Sequence, residues 1–168
     1  RQHLDIDFSR CWHEDVLYRA ACVEKMRLEL RKHFPGIPIG GDFEMMPPAN
    51  LDGVYGALFV AQIFGIPVEY YTDNWPAAEH KYLPEAEIMK LSPPELSSSP
   101  VFAELMKQMD VIEREGGSIH GYINWQGILN NAYRIRGPEI LTDLMVNPAL
   151  ACDLFDVLAE TMVQGMQL

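Results

Sequence analysis

Long helical repeats that alternate with short apolar runs constrain this chain more than any other feature. Val16, Ala20, Val23 and Leu30 recur every three or four residues, which predicts a helix from about Asp15 to Phe34, with Arg27 as its one polar interruption. Gly36 and Pro38 stop it. Ile37–Phe43 then reads as a first short strand. Asp52–Phe64 reads as a second helix and Ile66–Tyr71 as a second strand. A polar, proline-rich connection runs from Thr72 to Ser99. Ser99-Pro100 has the form of an N-cap followed by a first helical proline, which predicts a helix to Glu115 with Phe102, Leu105, Met109 and Ile112 facing inward. Gly116-Gly117 ends it, and Ser118–Ile123 reads as a third strand. Three helices follow, at about Gln126–Arg136, Pro138–Met145 and Pro148–Leu168. Strands that alternate with helices at this spacing predict an α/β fold of parallel strands joined by crossover helices.

Composition narrows the function classes. The net charge of −11 works against nucleic acid, whose phosphates need clustered Lys and Arg, and against an anionic membrane surface. No apolar run reaches the ~20 residues that span a bilayer. Cys11, Cys22 and Cys152 are too few and too scattered for a disulfide framework, so a reducing, cytoplasmic setting is expected. The final helical pattern still runs at Leu168, and the chain is read as one domain over 1–168 and as a fragment of something larger.

Several segments in order resemble the uroporphyrinogen decarboxylase family. They are Ile88-Met89-Lys90-Leu91, the helix from Pro100, and Gly121-Tyr122-Ile123-Asn124-Trp125-Gln126-Gly127-Ile128-Leu129. Arg136-Gly137-Pro138-Glu139 and Asp143–Pro148 follow. The resemblance implies a (β/α)₈ TIM barrel, of which this chain would form the N-terminal part only. It also implies an enzyme. The decarboxylases of the family carry an arginine-rich segment after the first strand for their substrate's carboxylates. Here that stretch is Gly40–Met46, without arginine, and the position of the family's catalytic aspartate falls near Tyr55-Gly56.

A second branch of the superfamily transfers methyl groups to or from a corrinoid. The resemblance to it implies a methyltransferase with a corrinoid protein as partner and a small molecule as methyl donor or acceptor. It also implies zinc, with ligands that lie outside this chain. A decarboxylase of a smaller acid and a non-catalytic partner of a corrinoid protein are the alternatives. An incomplete barrel would leave apolar edges, so self-association as a homodimer is expected.

Functional groups of such a barrel gather at the C-terminal ends of its strands. Asp42 and Glu44 follow the first strand and are candidates for acid–base work. His120, Tyr122 and Asn124 alternate onto one face of the third. His120 is a catalytic candidate, while Asn124, Trp125 and Tyr122 are substrate-binding candidates. Asp73, Asn74, Trp75 and His80 are read as an ordinary surface loop. Cys11-x-His13 has a chelating spacing but lacks further ligands nearby, so no metal residues are assigned.

Overall fold

The computed structural model describes residues 4–37 and 47–167. The helices of eight or more residues come out close to their sequence patterns. α1 covers Arg10–Glu14 and α2 covers Val16–His33. The Asp15 side chain accepts the Tyr18 N–H and caps α2, while Arg31, Lys32 and His33 fill the last turn, where the helix dipole favours cations. α3 is short, Phe59–Ile63. β1 (Val68–Glu69) pairs antiparallel with β2 (Ala77–Ala78). α4 is Glu85–Ile88, followed by a 3₁₀ turn at Leu96–Ser98. α5 spans Pro100–Gly116, α6 Ile128–Arg136, α7 Glu139–Val146 and α8 Pro148–Gln167.

The barrel expectation is overturned. Among the described residues the only sheet is this pair of two-residue antiparallel strands, where a (β/α)₈ barrel needs eight parallel ones. The described part of the chain is mainly helical, without the strand–helix alternation read from the sequence.

Each lost element has a local reason. The helix expected over Asp52–Phe64 is confined to its last turn, because Gly53, Tyr55 and Gly56 take left-handed φ values of 77°, 57° and 57°. That conformation cannot propagate a right-handed helix. Of the expected second strand, Val68 and Glu69 form the ladder.

The expected third strand, Ser118–Ile123, is irregular. Its hydrogen bonds tie a loop instead of a ladder: Leu51 N–H donates to His120 O at 2.9 Å, and Tyr122 N–H to the Asp52 carboxylate at 3.3 Å. Gly121 sits between them at φ 91°, and a Cβ there would lie 2.6 Å from the Leu51 nitrogen, so only glycine fits. The first expected strand lies almost wholly outside the described residues. Ser99 also departs from its expected role, since its buried Oγ has no partner among the described residues and does not cap α5.

The chain divides into two compact units. Unit 1 comprises Arg1–Tyr55, Tyr70–Trp75 and Glu104–Ile123. It contains a small apolar cluster of Ile6, Trp12 and Cys22, flanked by Phe8, Val23 and Met26. Unit 2 comprises Gly56–Glu69, Pro76–Ala103 and Asn124–Leu168. Its core is built on α8, whose Leu150, Leu154 and Leu158 recur every four residues and pack with Ala132 and Ile135 of α6 and Ile140 of α7. Arg136 and Asp143 form a largely buried ion pair at 2.7 Å, and Arg136 also donates to Leu83 O. No helix among the described residues is long and apolar enough to cross a membrane.

Candidate functional site

Unit 1 holds a buried polar cluster that begins with Arg19. This residue lies one turn beyond Val16 on the inner face of α2 and is 1% exposed. Its Nε and Nη2 donate to Asn50 O at 3.2 and 3.1 Å, its Nη1 to Trp12 O at 2.9 Å, and its Nη2 also to Gln108 Oε1 at 3.0 Å. No carboxylate is among these partners. Gln108, on the inner face of α5, turns its amide nitrogen to His13 O (2.8 Å) and to the Tyr55 hydroxyl (2.9 Å). Tyr55 N–H donates to His13 Nδ1 at 2.9 Å. The Asn50 side chain bonds Pro47 O, Pro48 O and Asp52 N–H, which shapes the loop that supplies Arg19 with its acceptor.

These contacts fix the chemistry of the cluster. His13 Nδ1 accepts a hydrogen bond, so the ring is neutral with its proton on Nε2. Burial, aided by the Arg19 charge, lowers its pKa from 6.5 to about 4. Burial also lowers Arg19 to about 10, short of discharging it at neutral pH, and raises the Tyr55 hydroxyl well above the usual phenol range. The Gln108 amide is held between the guanidinium and two acceptors. The cluster thus ties α1, α2, α5 and the Asn50 loop together.

An acid sensitivity follows. Above pH 6.5 His13 is neutral folded and unfolded. As pH falls from about 6.5 to about 4 the unfolded chain protonates first, so stability drops across that window, by up to about 3 kcal/mol. Urea midpoints measured at steps between pH 7 and pH 4 check this. His13→Asn supplies a side-chain oxygen for the Tyr55 N–H and is expected to flatten the slope. An equal slope in both proteins would assign the acid loss to other groups.

Beside this cluster a groove of about 470 Å³ runs between the α1–α2 corner and α5. Arg10, Glu14 and Asp15 line one side and Glu104, Lys107 and Arg114 the other. Val16, Leu17 and Val111 contribute apolar surface, Cys11 also lines the groove, and Gln108 stands at its base, 2% exposed. Arg10 is held by Glu14 at 3.2 Å and lies 5.6 Å from the Tyr70 ring centre.

The residues singled out in the sequence do not form one cluster. Asp42 and Glu44 lie outside the described residues. His120 belongs to unit 1, half-buried, with its Nε2 2.8 Å from the exposed Ser118 Oγ. Tyr122 is 70% exposed. Asn124 and Trp125 belong to unit 2. Asn124 bonds the backbone and side chain of Gln126 (φ 57°), shaping the turn into α6. Trp125 packs in the unit 2 core, edge-on to Phe59 at 5.2 Å, with its carbonyl bonded by Asn131. Between the strands Trp75 is 65% exposed, and just after β2 His80 bonds the Tyr82 hydroxyl at 2.8 Å.

The described residues do not fit a zinc site. Cys11 is exposed while His13 is buried with its Nδ1 engaged, and no group of three His, Cys, Asp or Glu side chains is placed to hold a metal among the described residues. Sequence reading passed over Arg19, Gln108 and Tyr55. The signal for the first two was present: each is a polar residue on an inward helical stripe, Arg19 three after Val16 and Gln108 three after Leu105. Tyr55 carried no such signal, because its left-handed backbone is set by its neighbours in space. No family model, curated protein or solved structure matches the chain.

Proposed function

We propose that this chain is a cytoplasmic methyltransferase that works with a corrinoid-carrying partner protein and a small-molecule methyl donor or acceptor. The observation that carries this reading is the ordered resemblance of Gly121–Leu129, Arg136–Glu139 and Asp143–Pro148 to the corresponding segments of uroporphyrinogen-decarboxylase-like enzymes. The stretch Gly40–Met46 has no arginine, and the chain has a net charge of −11; both count against a polycarboxylate substrate and favour the methyl-transfer branch over decarboxylation. The reading rests on these segments and not on a barrel.

The test is methyl exchange with free methylcobalamin, followed by loss of the methyl–cobalt absorbance as thiols and small amines are offered as acceptors. Protein-dependent demethylation is expected. Unchanged methylcobalamin with every acceptor, together with carbon dioxide release from a panel of small carboxylic acids, would replace methyl transfer by decarboxylation. Neither activity would leave a non-catalytic partner role.

A further inference from the structure

From the groove in unit 1 we infer that this protein binds a small amino-acid-like zwitterion with an apolar body, carboxylate toward α5 and ammonium toward the α1–α2 corner. Three features of the groove lead there, none of which depends on methyl transfer.

The first is size. About 470 Å³ lies in the range of small-molecule sites and well above what one water or ion needs.

The second is charge. The chain has 13 basic against 24 acidic residues, yet the groove lining carries three of each. In a chain with this acidic excess, the groove lining is locally balanced. Lys107 and Arg114 stand seven residues apart on one face of α5, with Val111 between them. Glu14, which ends α1, and Asp15, which caps α2, stand across from them. With Arg10 counted on the corner side and Glu104 on α5, the corner carries one net negative charge and α5 one net positive charge, and over an apolar strip of Val16, Leu17 and Val111 this matches a molecule charged oppositely at its two ends.

The third is the base of the groove. Gln108 is fixed there by the Arg19 guanidinium, a buried positive charge with no carboxylate among its hydrogen-bond partners. In a poorly screened interior that charge is felt at the base, next to the Lys107 and Arg114 wall, and it favours the carboxylate end on that side. Leu17, 57% exposed, offers the apolar contact such a ligand would cover.

Isothermal titration of the full chain tests this with three probes of the same skeleton: L-leucine, 4-methylpentanoate and isoamylamine. Leucine is expected to bind at least about tenfold more tightly than either single-charge analogue, the effect of one additional satisfied charge contact. Lys107→Glu changes a side chain that is 73% exposed, so folding is preserved, and is expected to weaken leucine about tenfold. Lys90→Glu makes the same charge change at a residue of unit 2 that does not line the groove, and is expected to leave binding intact. No leucine binding up to about 10 mM overturns the inference. So does equal binding of 4-methylpentanoate, or a Lys107→Glu protein that binds as the parent does. Methyl-exchange activity plays no part in these readouts, so either proposal can fail alone.

Discussion

Replacing Arg19 with methionine is expected to destabilise unit 1 by about 3 kcal/mol, although the substitution removes a buried charge. Two effects oppose each other. A buried guanidinium without a carboxylate partner carries a desolvation cost of several kcal/mol, and methionine relieves it. Against this, Asn50 O, Trp12 O and Gln108 Oε1 all lose their donor at once. Orphaned buried acceptors cost about 1–3 kcal/mol each. Two of the three are main-chain carbonyls that no side-chain change can remove, so the loss outweighs the relief. Arg19→Lys keeps the charge but cannot reach three separated acceptors with one ammonium, and should fall between parent and methionine. Urea unfolding followed by near-ultraviolet circular dichroism reads the difference. An unchanged midpoint for Arg19→Met would mean that the guanidinium does not hold the Asn50 loop.

The second large effect is expected in unit 2. Phe59→Ala should cost about 3–5 kcal/mol, the range for emptying a fully buried aromatic site. Phe59 is 0% exposed, 5.2 Å from the Trp125 ring in an edge-on arrangement and 6.3 Å from Phe102. Its loss removes apolar contact and an aromatic pair worth about 0.5–1.5 kcal/mol beyond the area buried. The Trp125 emission should also shift as its packing loosens. Phe59→Leu keeps much of the volume and should cost less than half as much. Equal costs for the two would assign the effect to the backbone around α3 and not to the cavity.

What the sequence made legible divides by range. α2, α5, α6, α7 and α8 were readable because each carries its own punctuation: Asp15 ahead of α2, Pro100 and Gly117 around α5, Gly137-Pro138 between α6 and α7, and Asn147-Pro148 before α8. Such signals act within one turn of helix, so a local reading finds them. The strands failed for the opposite reason. Ile66–Tyr71 and Ser118–Ile123 have apolar and aromatic residues in strand-like runs, but a strand exists only where another backbone meets its hydrogen-bonding groups. Val68 and Glu69 found Ala78 and Ala77; His120 and Tyr122 found single donors and acceptors of the Leu51–Asp52 loop.

The candidate site shows the same division. The inward placement of Arg19 and Gln108 and the four-then-three spacing of Lys107, Val111 and Arg114 are properties of order along the chain, and the sequence alone determined them. That Arg19 reaches Asn50, that Gln108 links His13 to Tyr55, and that the α1–α2 corner faces α5 across a groove were decided by tertiary structure. These contacts span 31 to 95 residues. A residue's neighbours at that separation depend on how whole helices pack, which no local pattern encodes.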